Sequence, residues 1–389
     1  MKSSPLNVAE LKNINRHIIL EKLRLCPLSR SELSIKTGLA KSSVTTLTNQ
    51  MIDEGLLFEV GLAKKSNKAG RTRMLLGING DFGYVIGINL HRTKISISAT
   101  NIVGKILFEE IKPTSEFKNT SAAFDYIKGQ ISHQIKNAGL DRKKLLGIGV
   151  SAPGPLDCEK GIILTPPNFK LFNNFKIADE LKAVFDCPVF LENEAVTLAL
   201  YEHYCVEEQT NNTLFVTVSN GIGGALIKNG EVYRGSHGIS GELGHITVDP
   251  NGEKCACGNR GCLEQYATLD ALKRRFGFVG YEEMINGAIA GEEKPLLAME
   301  FLIKTLGAAL VCAVNLFDLD KIIISGEFDY KADWLTARLL EYIKSHSVIC
   351  SMHSVEVLPS GQRGFTAHLA ATLPALNGFF KKSLNFDFK

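Results

Sequence analysis

The chain has 389 residues, of which 45% are hydrophobic and 22% charged, and its mean hydropathy is +0.04. These values are typical of an ordinary soluble protein and allow two or three domains, each with its own core. We find no apolar run of about 18 residues that could span a bilayer, and the start MKSSPLNVAELK lacks the apolar centre of a signal peptide, so we expect a cytoplasmic protein without membrane insertion.

Positive charge is concentrated in the first 78 residues. They hold 13 Lys and Arg against 6 Asp and Glu, a balance of +7, whereas residues 79–389 hold 31 against 35, a balance of −4. This asymmetry predicts that the N-terminal part meets a polyanion while the rest of the chain has another role.

The N-terminal part begins with the pattern of two helices. In residues 11–25 the apolar side chains recur at helical intervals, at Leu11, Ile14, Ile18 and Leu23. After Pro27, the run from Ser29 to Glu32 matches a capping box and predicts a short second helix that ends at Thr37-Gly38.

A third helix is predicted in LAKSSVTTLTNQMIDEG. One of its faces is apolar, with Val44, Leu47, Met51 and Ile52. The other face carries uncharged hydrogen-bonding groups, which a recognition helix offers to base edges and phosphates in the major groove. Its predicted DNA contacts are Lys41, Ser42, Ser43, Thr45, Thr46 and Asn49, with Gln50 on the same face.

Two apolar stretches follow, Leu56–Val60 and Met74–Ile78, and they predict a hairpin. Its long tip carries five further predicted DNA contacts: Lys64, Lys65, Lys68, Arg71 and Arg73. A basic wing beside a helix-turn-helix would bind the DNA backbone or minor groove. The alternative is a solvated linker, since charge runs are often only solvated.

The remaining chain has two similar halves. Residues 83–111 and 211–234 both follow the order strand, turn, strand, tight turn, strand, with the tight turns at Val103-Gly104 and Asn229-Gly230. The repetition predicts a duplicated α/β body whose two lobes face each other across a cleft.

Polar residues follow two buried strands of the first half. The strand in residues 145–157 leads into a Pro-Gly loop, and the strand Pro188–Leu191 leads into Glu192-Asn193-Glu194 at a helix start. Side chains at the carboxyl ends of such strands point into the cleft. The alternative is a helix N-terminus that merely favours acidic residues.

The stretch from Gly241 to Glu264, GELGHITVDPNGEKCACGNRGCLE, predicts a metal site. It contains three of the nine cysteines, and one imidazole and three thiolates can form a tetrahedral Cys3His zinc site of His245, Cys255, Cys257 and Cys262. Because four protein ligands leave no open position, we expect one structural zinc ion per chain. The alternative is that these are small buried cysteines. The other six cysteines lack framework spacing, which argues against a disulfide scaffold.

Residues 307–327 then predict an apolar helix and a buried strand that ends at Ser325-Gly326. The final pattern, FTAHLAATLPALNGFF, predicts a helix that packs back on the first lobe.

Together these residues resemble the ROK family (repressors, open reading frames and sugar kinases), in particular its repressor branch. The resemblance implies an α/β chain with an N-terminal winged helix-turn-helix (1–80) and a two-lobed actin-like (RNase H-like) body. The first lobe would span 81–194, joined by the C-terminal helix 365–389, and the second 195–364, with the zinc loop 241–264. It also implies sugar binding by Gly154, Asn193, Glu194, Glu242, His245 and Glu264, with Glu194 at the place of the kinases' catalytic base.

The sequence departs from the family's kinases at the phosphate loops. Their Asp-x-Gly-Gly-Thr-Lys is here Asn89 to Lys94, with His91 and Arg92 in place of the glycines. Their Gly-Thr-Gly is Ser219-Asn220-Gly221, and their nucleotide-binding Gly-Gly is Ser325-Gly326, followed by an acid. Phosphoryl transfer depends on positioned phosphates and a correctly placed base, so these changes predict that ATP use has been lost.

We therefore expect a sugar-responsive DNA-binding transcriptional regulator, a repressor of carbohydrate uptake or catabolism genes that is not an enzyme. Its partners would be a double-stranded DNA operator, a sugar or sugar phosphate, and further copies of itself in a homodimer or tetramer. Two alternatives stay open: a sugar kinase that kept a DNA-binding head, and a repressor controlled by a protein partner. The sequence does not identify the sugar.

Overall fold

The structure is a computed structural model that describes residues 8–62, 73–166, 169–205, 212–236, 238–361 and 367–382. Its N-terminal unit (residues 8–62 and 73–78) contains α1 (Val8–Leu25), β1 (Leu28–Ser29), α2 (Arg30–Thr37), α3 (Lys41–Asp53), β2 (Leu57–Leu62) and β3 (Met74–Ile78). Strand β3 pairs antiparallel with β1 and with β2. The predicted order of three helices and a hairpin is confirmed, while the hairpin tip, residues 63–72, lies outside the described residues.

The start of α2 is the predicted capping box. The backbone N–H of Ser29 donates to Glu32 Oε2 at 2.8 Å, and the N–H of Glu32 donates to Ser29 Oγ at 3.3 Å. The Ser29 hydroxyl, which donates to Glu32 Oε2 at 2.6 Å, and the Ser29 backbone N–H lower the pKa of Glu32, since both bonds favour the carboxylate. Gly38, with a φ of 71°, ends the helix in the left-handed conformation that glycine adopts without strain.

The buried face of α1 differs from the predicted one. Ile19, Leu20 and Leu23 are buried, whereas Leu11 and Ile14 are 45% and 37% exposed. On a helix with about 3.6 residues per turn, the buried positions lie on one side and Leu11 and Ile14 on the opposite side. Of the four apolar positions named from the sequence, only Leu23 is buried, Ile18 is half-buried, and Leu11 and Ile14 are exposed, so helical spacing identified the helix but not its buried side.

Two five-stranded sheets follow, each with helices. The first-half elements are β4 (Tyr84–Leu90), β5 (Lys94–Asn101), β6 (Ile106–Pro113), α4 (Thr120–Asn137), β7 (Leu145–Ala152), β8 (Leu156–Asp157), β9 (Ile162–Ile163), α5 (Ile177–Phe185), β10 (Val189–Asn193) and α6 (Glu194–Cys205). The second-half elements are β11 (Asn212–Val218), β12 (Ile222–Lys228), β13 (Glu231–Val232), α7 (Glu264–Ala267), α8 (Leu269–Phe276), α9 (Tyr281–Ile289), α10 (Glu293–Phe317), β14 (Lys321–Gly326), α11 (Ala332–His346) and β15 (Glu356–Pro359).

The two sheets have the same topology, which confirms the predicted duplication. The first sheet has the order β10-β7-β4-β5-β6 and the second β13-β12-β11-β14-β15. In each, three antiparallel strands are extended by two parallel ones beside the first strand. Asn229 and Gly230, both with positive φ, form the tight turn of the second unit.

Helix α10 corrects the expectation that no segment is apolar enough to span a bilayer. Its 25 residues meet that test by length and composition. Leu302, Leu306 and Leu310, however, are fully buried in the core that covers the second sheet. The apolar run is thus accounted for by packing inside the protein.

The C-terminal helices α12 (Ala367–Ala370) and α13 (Leu373–Lys382) pack on the first sheet, as predicted. Their approach is so close that a Cβ at Gly149 would lie 2.1 Å from the carbonyl oxygen of Ala371. Phe379 and Phe380 of α13 also belong to one apolar cluster with Ile19 of α1. The N-terminal unit therefore shares a core with the elements around it.

Candidate functional site

A cavity of about 580 Å³, called the cleft below, lies at the carboxyl ends of β7 and β10 and against the β11–β12 turn. All six residues predicted to bind sugar line it: Gly154, Asn193, Glu194, Glu242, His245 and Glu264. They come from separate parts of the chain, so the fold gathers the predicted set. The volume of the cleft is in the usual range for small-molecule pockets.

The first wall of the cleft is formed by the ends of two neighbouring parallel strands. Asn193 is paired with Ala152 at the end of β7, and the loop after β7 brings Gly154 beside it. A Cβ at Gly154 would lie 3.1 Å from Asn193 Nδ2 and 3.8 Å from Glu242 Oε1. A side chain at this position would therefore crowd Asn193 where the two walls approach each other.

Asn193 is also fixed by its role at the start of α6. Its side-chain oxygen accepts the backbone N–H of Ala195 at 2.8 Å, as a helix cap does. This bond leaves the side-chain NH2 group toward Gly154 and the cleft. The preceding residue, Glu192, does not line the cleft and is 5% exposed.

The second wall is formed by Glu242, His245 and Glu264. The imidazole Nε2 lies 3.9 Å from Glu242 Oε2, and Nδ1 lies 3.7 Å from Glu264 Oε1. Desolvation raises the pKa of Glu242; His245 opposes the rise and Glu264 adds to it. A Cβ at Gly221 would lie 3.3 Å from Glu264 Oε2, so the β11–β12 turn approaches this wall closely.

His245 and the three predicted cysteines form a group that fits a tetrahedral metal ion. The four ligand atoms lie within 4.8 Å of one another. Cys257 Sγ and Cys262 Sγ are 3.6 Å apart, and Cys255 Sγ is 3.7 Å from His245 Nδ1. Zinc with bonds of ordinary length would require separations of about 3.6–3.8 Å. The donor set and its spacing therefore match zinc.

Two of the three thiols, Cys255 and Cys262, are buried in a way that disfavours the thiolate form needed to bind a metal. Burial raises the pKa of Cys255 to about 12 and also raises that of Cys262. The backbone N–H of Asn259 lowers the pKa of Cys257. A bound cation would offset the cost of the buried thiolates.

Residues Asn89 to Lys94, which the resemblance places at the kinases' phosphate loop, run from the end of β4 to the start of β5. Asn89 is fully buried in β4 and does not line the cleft, and neither polar atom of its amide has a partner among the described residues. His91 Nδ1 lies 2.9 Å from Thr93 Oγ1, and Arg92 lines the cleft. Glu327, the acid that follows Ser325-Gly326, has its pKa raised by burial and by the nearby Asp270.

In the N-terminal unit, the predicted DNA contacts on α3 lie on its accessible side. Lys41, Ser42, Thr45, Thr46, Asn49 and Arg73 are exposed and Ser43 is half-buried, while Lys64, Lys65, Lys68 and Arg71 lie outside the described residues. Val44, Leu47 and Met51 are buried, as predicted, and Ile52 is half-buried.

Sequence reasoning missed Arg30. Its guanidinium donates to Asn49 Oδ1 at 2.8 Å and to Thr48 Oγ1 at 3.1 Å, and lies 3.5 Å from Glu59. A cation therefore borders the polar face of α3. No spacing rule connects the first residue of α2 with this face, so only the packing of the two helices reveals it.

Known proteins resemble this chain over most of its length. The family model described as the ROK family matches residues 85–371. The xylose repressor of Bacillus subtilis (strain 168) is 31% identical over 356 residues, 90% of this chain and 91% of the repressor. The DNA-binding transcriptional dual regulator NagC of Escherichia coli (strain K12) is 29% identical over 338 residues, 82% of each chain.

Solved structures show the same fold. A ROK family transcriptional regulator, a homolog of the E. coli MLC protein, matches with a TM-score of 0.80 at 24% identity and covers 96% of this chain and 98% of that one. The ROK hexokinase from Thermus thermophilus matches with a TM-score of 0.65 at 29% identity, over 76% of this chain and 98% of that one. Because the family model matches residues 85–371 and a repressor aligns with 90% of this chain, the chain belongs to the ROK family.

Proposed function

We propose that the protein is a sugar-responsive transcriptional repressor of carbohydrate uptake or catabolism genes. Residues 1–80 form a winged helix-turn-helix that binds a DNA operator. Residues 81–194, joined by the C-terminal segment 365–389, and residues 195–364 form the two lobes of an actin-like body; the predicted single C-terminal helix is two helices, α12 and α13, in the described part of that segment. The protein acts in the cytoplasm as a homodimer or tetramer.

The observation that carries the proposal is the cleft itself. Six side chains and backbone positions predicted to bind sugar hydroxyls converge there from both lobes. Carboxylates, an amide and an imidazole supply the donors and acceptors that fix the orientation of a polyol. The repressors that align with 82–90% of the chain support a regulatory use of this cleft.

One zinc ion per chain would give the second wall its shape. His245, Cys255, Cys257 and Cys262 would hold it, and the ion would supply a rigid cross-link between the ends of the loop. In this arrangement Nδ1 of His245 faces the sulfur atoms and Nε2 faces Glu242 and the cleft. The metal group would thereby fix the orientation of a ring that also contacts the ligand.

The cleft does not favour ATP. A kinase needs a carboxylate for magnesium and glycines whose backbone cradles phosphates. Asn89 is neutral and buried, and the bulky side chain of Arg92 lines the cleft. Glu194, one methylene longer than the aspartate of the kinases, would misplace a base in a reaction that depends on positioning.

The proposal is tested by thermal-shift screening followed by operator release. The panel is glucose, xylose, fructose, N-acetylated hexosamines and their 6-phosphates, since a ligand that binds the folded state raises its melting temperature. DNA duplexes selected by the protein from a random library then serve as operator. We expect one sugar to raise the melting temperature and to weaken operator binding by about tenfold or more. A protein that binds DNA but ignores the entire panel would contradict the proposal.

A further inference from the structure

An ion pair joins the two sheets beside the cleft. Glu192 lies on β10, the edge strand of the first sheet, and Arg234 follows β13, the edge strand of the second. The guanidinium Nη2 donates to Glu192 Oε2 at 2.6 Å. The carboxylate side chain is only 7% exposed, so this is a short charge pair with one nearly buried partner.

Each partner is connected to one wall of the cleft. The second carboxylate oxygen of Glu192, Oε1, accepts the backbone N–H of Asn193 at 3.0 Å. The backbone carbonyl of Arg234 accepts the N–H of Ser240 at 3.3 Å, which closes the loop that leads to Glu242. A relative shift of the two walls is therefore transmitted to the ion pair.

Arg234 also faces the N-terminal unit. It lines a second cavity, of about 400 Å³, which is bordered by α1, α6 and the β12–β13 hairpin. His17 and Glu21 enter this cavity from α1, His203 from α6 and Glu231 from the hairpin. The hairpin and the first helix thus meet across a polar, charged space.

Below this space the same elements share an apolar core. Ile227 of β12 and Ile19 and Leu20 of α1 belong to one cluster of buried side chains, and Val232 of β13 packs against it. A movement of the hairpin therefore changes the packing of α1. Because packed interfaces adopt discrete arrangements rather than deforming continuously, a small shift can select between two positions of a helix.

We propose that Arg234 is a positioning residue that carries the state of the cleft to the N-terminal unit. The proposal rests on the proposed function, because it requires a ligand that draws the two walls together. Glu192 moves with Asn193, and Arg234 follows because separation would leave a carboxylate buried without its partner. The β12–β13 hairpin then shifts against α1 and changes the position of the N-terminal unit relative to the two sheets. Sugar contact and DNA-unit position are coupled through this pair.

The test measures backbone amide exchange in α1, Val8–Leu25, with and without sugar, in the full-length parent and in Arg234→Met. The probe is the sugar or sugar 6-phosphate of the panel above that most raises the melting temperature of the parent. In the parent we expect the sugar to change exchange rates in α1 by about tenfold, the size of an ordinary coupling between sites. In Arg234→Met we expect a sugar affinity within about fivefold of that of the parent. The sugar should then change the amide exchange rates in α1 by less than about twofold.

Two further variants separate positioning from general damage. Arg234→Lys keeps the charge and should restore most of the response in α1. Lys321→Met removes a cation whose partner, Glu356, lies in the same sheet, and it should leave the response unchanged. If Arg234→Met does not fold, Arg234→Gln is measured in its place.

The outcomes distinguish the relay from the function on which it rests. An unchanged α1 response in Arg234→Met, or no α1 response in a parent that binds sugar, would overturn the relay alone. Loss of sugar affinity in parallel with the response would make Arg234 a ligand contact and would also overturn it. A parent that binds no sugar of the panel would overturn the proposed function, and the relay with it.

Discussion

At the scale of single residues, His245 connects two parts of the site. Its ring has Nδ1 on the side of Cys255 Sγ and Nε2 on the side of Glu242. An imidazole whose one nitrogen is held by a metal presents the other in a fixed orientation and tautomer. Removal of the metal group should therefore disturb the cleft as well as the loop.

We predict that Cys257→Ala abolishes zinc retention and the response of operator binding to sugar. Loss of one of four ligands should reduce the metal that survives dialysis against a chelator from one per chain to less than about a tenth. Elemental analysis and operator titrations with and without sugar measure both effects. Cys312→Ala, at an exposed cysteine outside the metal group, is the control. Loss of zinc without any change in operator binding or sugar response would contradict this role.

A second prediction concerns Glu242, whose carboxylate faces the cleft. Hydrogen bonds to charged groups are stronger than those to neutral ones, so Glu242→Gln should weaken sugar binding by about tenfold. Calorimetric titration of the sugar found by screening measures the change. Glu159→Gln, at an exposed position of the first half, should bind like the parent. Equal affinities for the parent and Glu242→Gln would exclude Glu242 from the ligand contacts.

At the scale of elements, α3 and the β2–β3 hairpin decide how the N-terminal unit could meet DNA. The buried stripe of α3 sets its polar side toward solvent, and Arg30 of α2 holds Asn49 on that side. Arg73, immediately before β3, is exposed at the base of the hairpin. These two elements therefore expose the groups that we predict to read bases and to bind phosphates.

We predict that Lys41→Ala and Arg73→Ala each reduce the salt dependence of operator binding. Each phosphate contact releases counterions, so the slope of log K against log salt should fall in magnitude by about 0.9 per lost contact. Fluorescence anisotropy over a range of salt concentrations measures the slope. Lys170→Ala, an exposed lysine of the first half, should leave it unchanged. An unchanged slope in both Lys41→Ala and Arg73→Ala would mean that neither residue contacts phosphate.

At the scale of the whole molecule, the duplicated sheets place the predicted sugar-binding residues of both halves around one cleft. The ROK hexokinase has a similar fold, so the fold alone does not distinguish regulator from kinase. We infer that the distinction lies in residues such as Asn89, a buried amide at the position where the resemblance places a carboxylate in the kinases.

We therefore predict that the protein lacks sugar kinase activity. In a coupled ATPase assay with the hexose panel and magnesium, turnover should stay far below about 1 per second, the low end of ordinary enzymes. Thermus thermophilus ROK hexokinase serves as the positive control for the assay. Turnover at or above that rate would favour the alternative of a kinase with a DNA-binding head.

The sequence by itself determined those features that depend on neighbours along the chain. The capping box of α2, the tight turn at Asn229-Gly230, the repeated strand order and the Cys3His group all arise from local spacing, and the structure contains each of them. Their physical basis is short-range: backbone donors near a helix start, glycine at positive φ, and ligands on one short loop. The sugar and DNA roles of the named residues stay predictions.

Only the tertiary structure decided which groups face each other from distant parts of the chain. The buried side of α1, the position of Arg30 beside α3 and the pairing of Glu192 with Arg234 follow from how helices and sheets pack, which periodicity does not specify. Burial of α10 is of the same kind, because an apolar helix can be covered by lipid or by protein with the same sequence. Local patterns depend on a few adjacent residues, whereas these contacts depend on the free energy of the entire packed core.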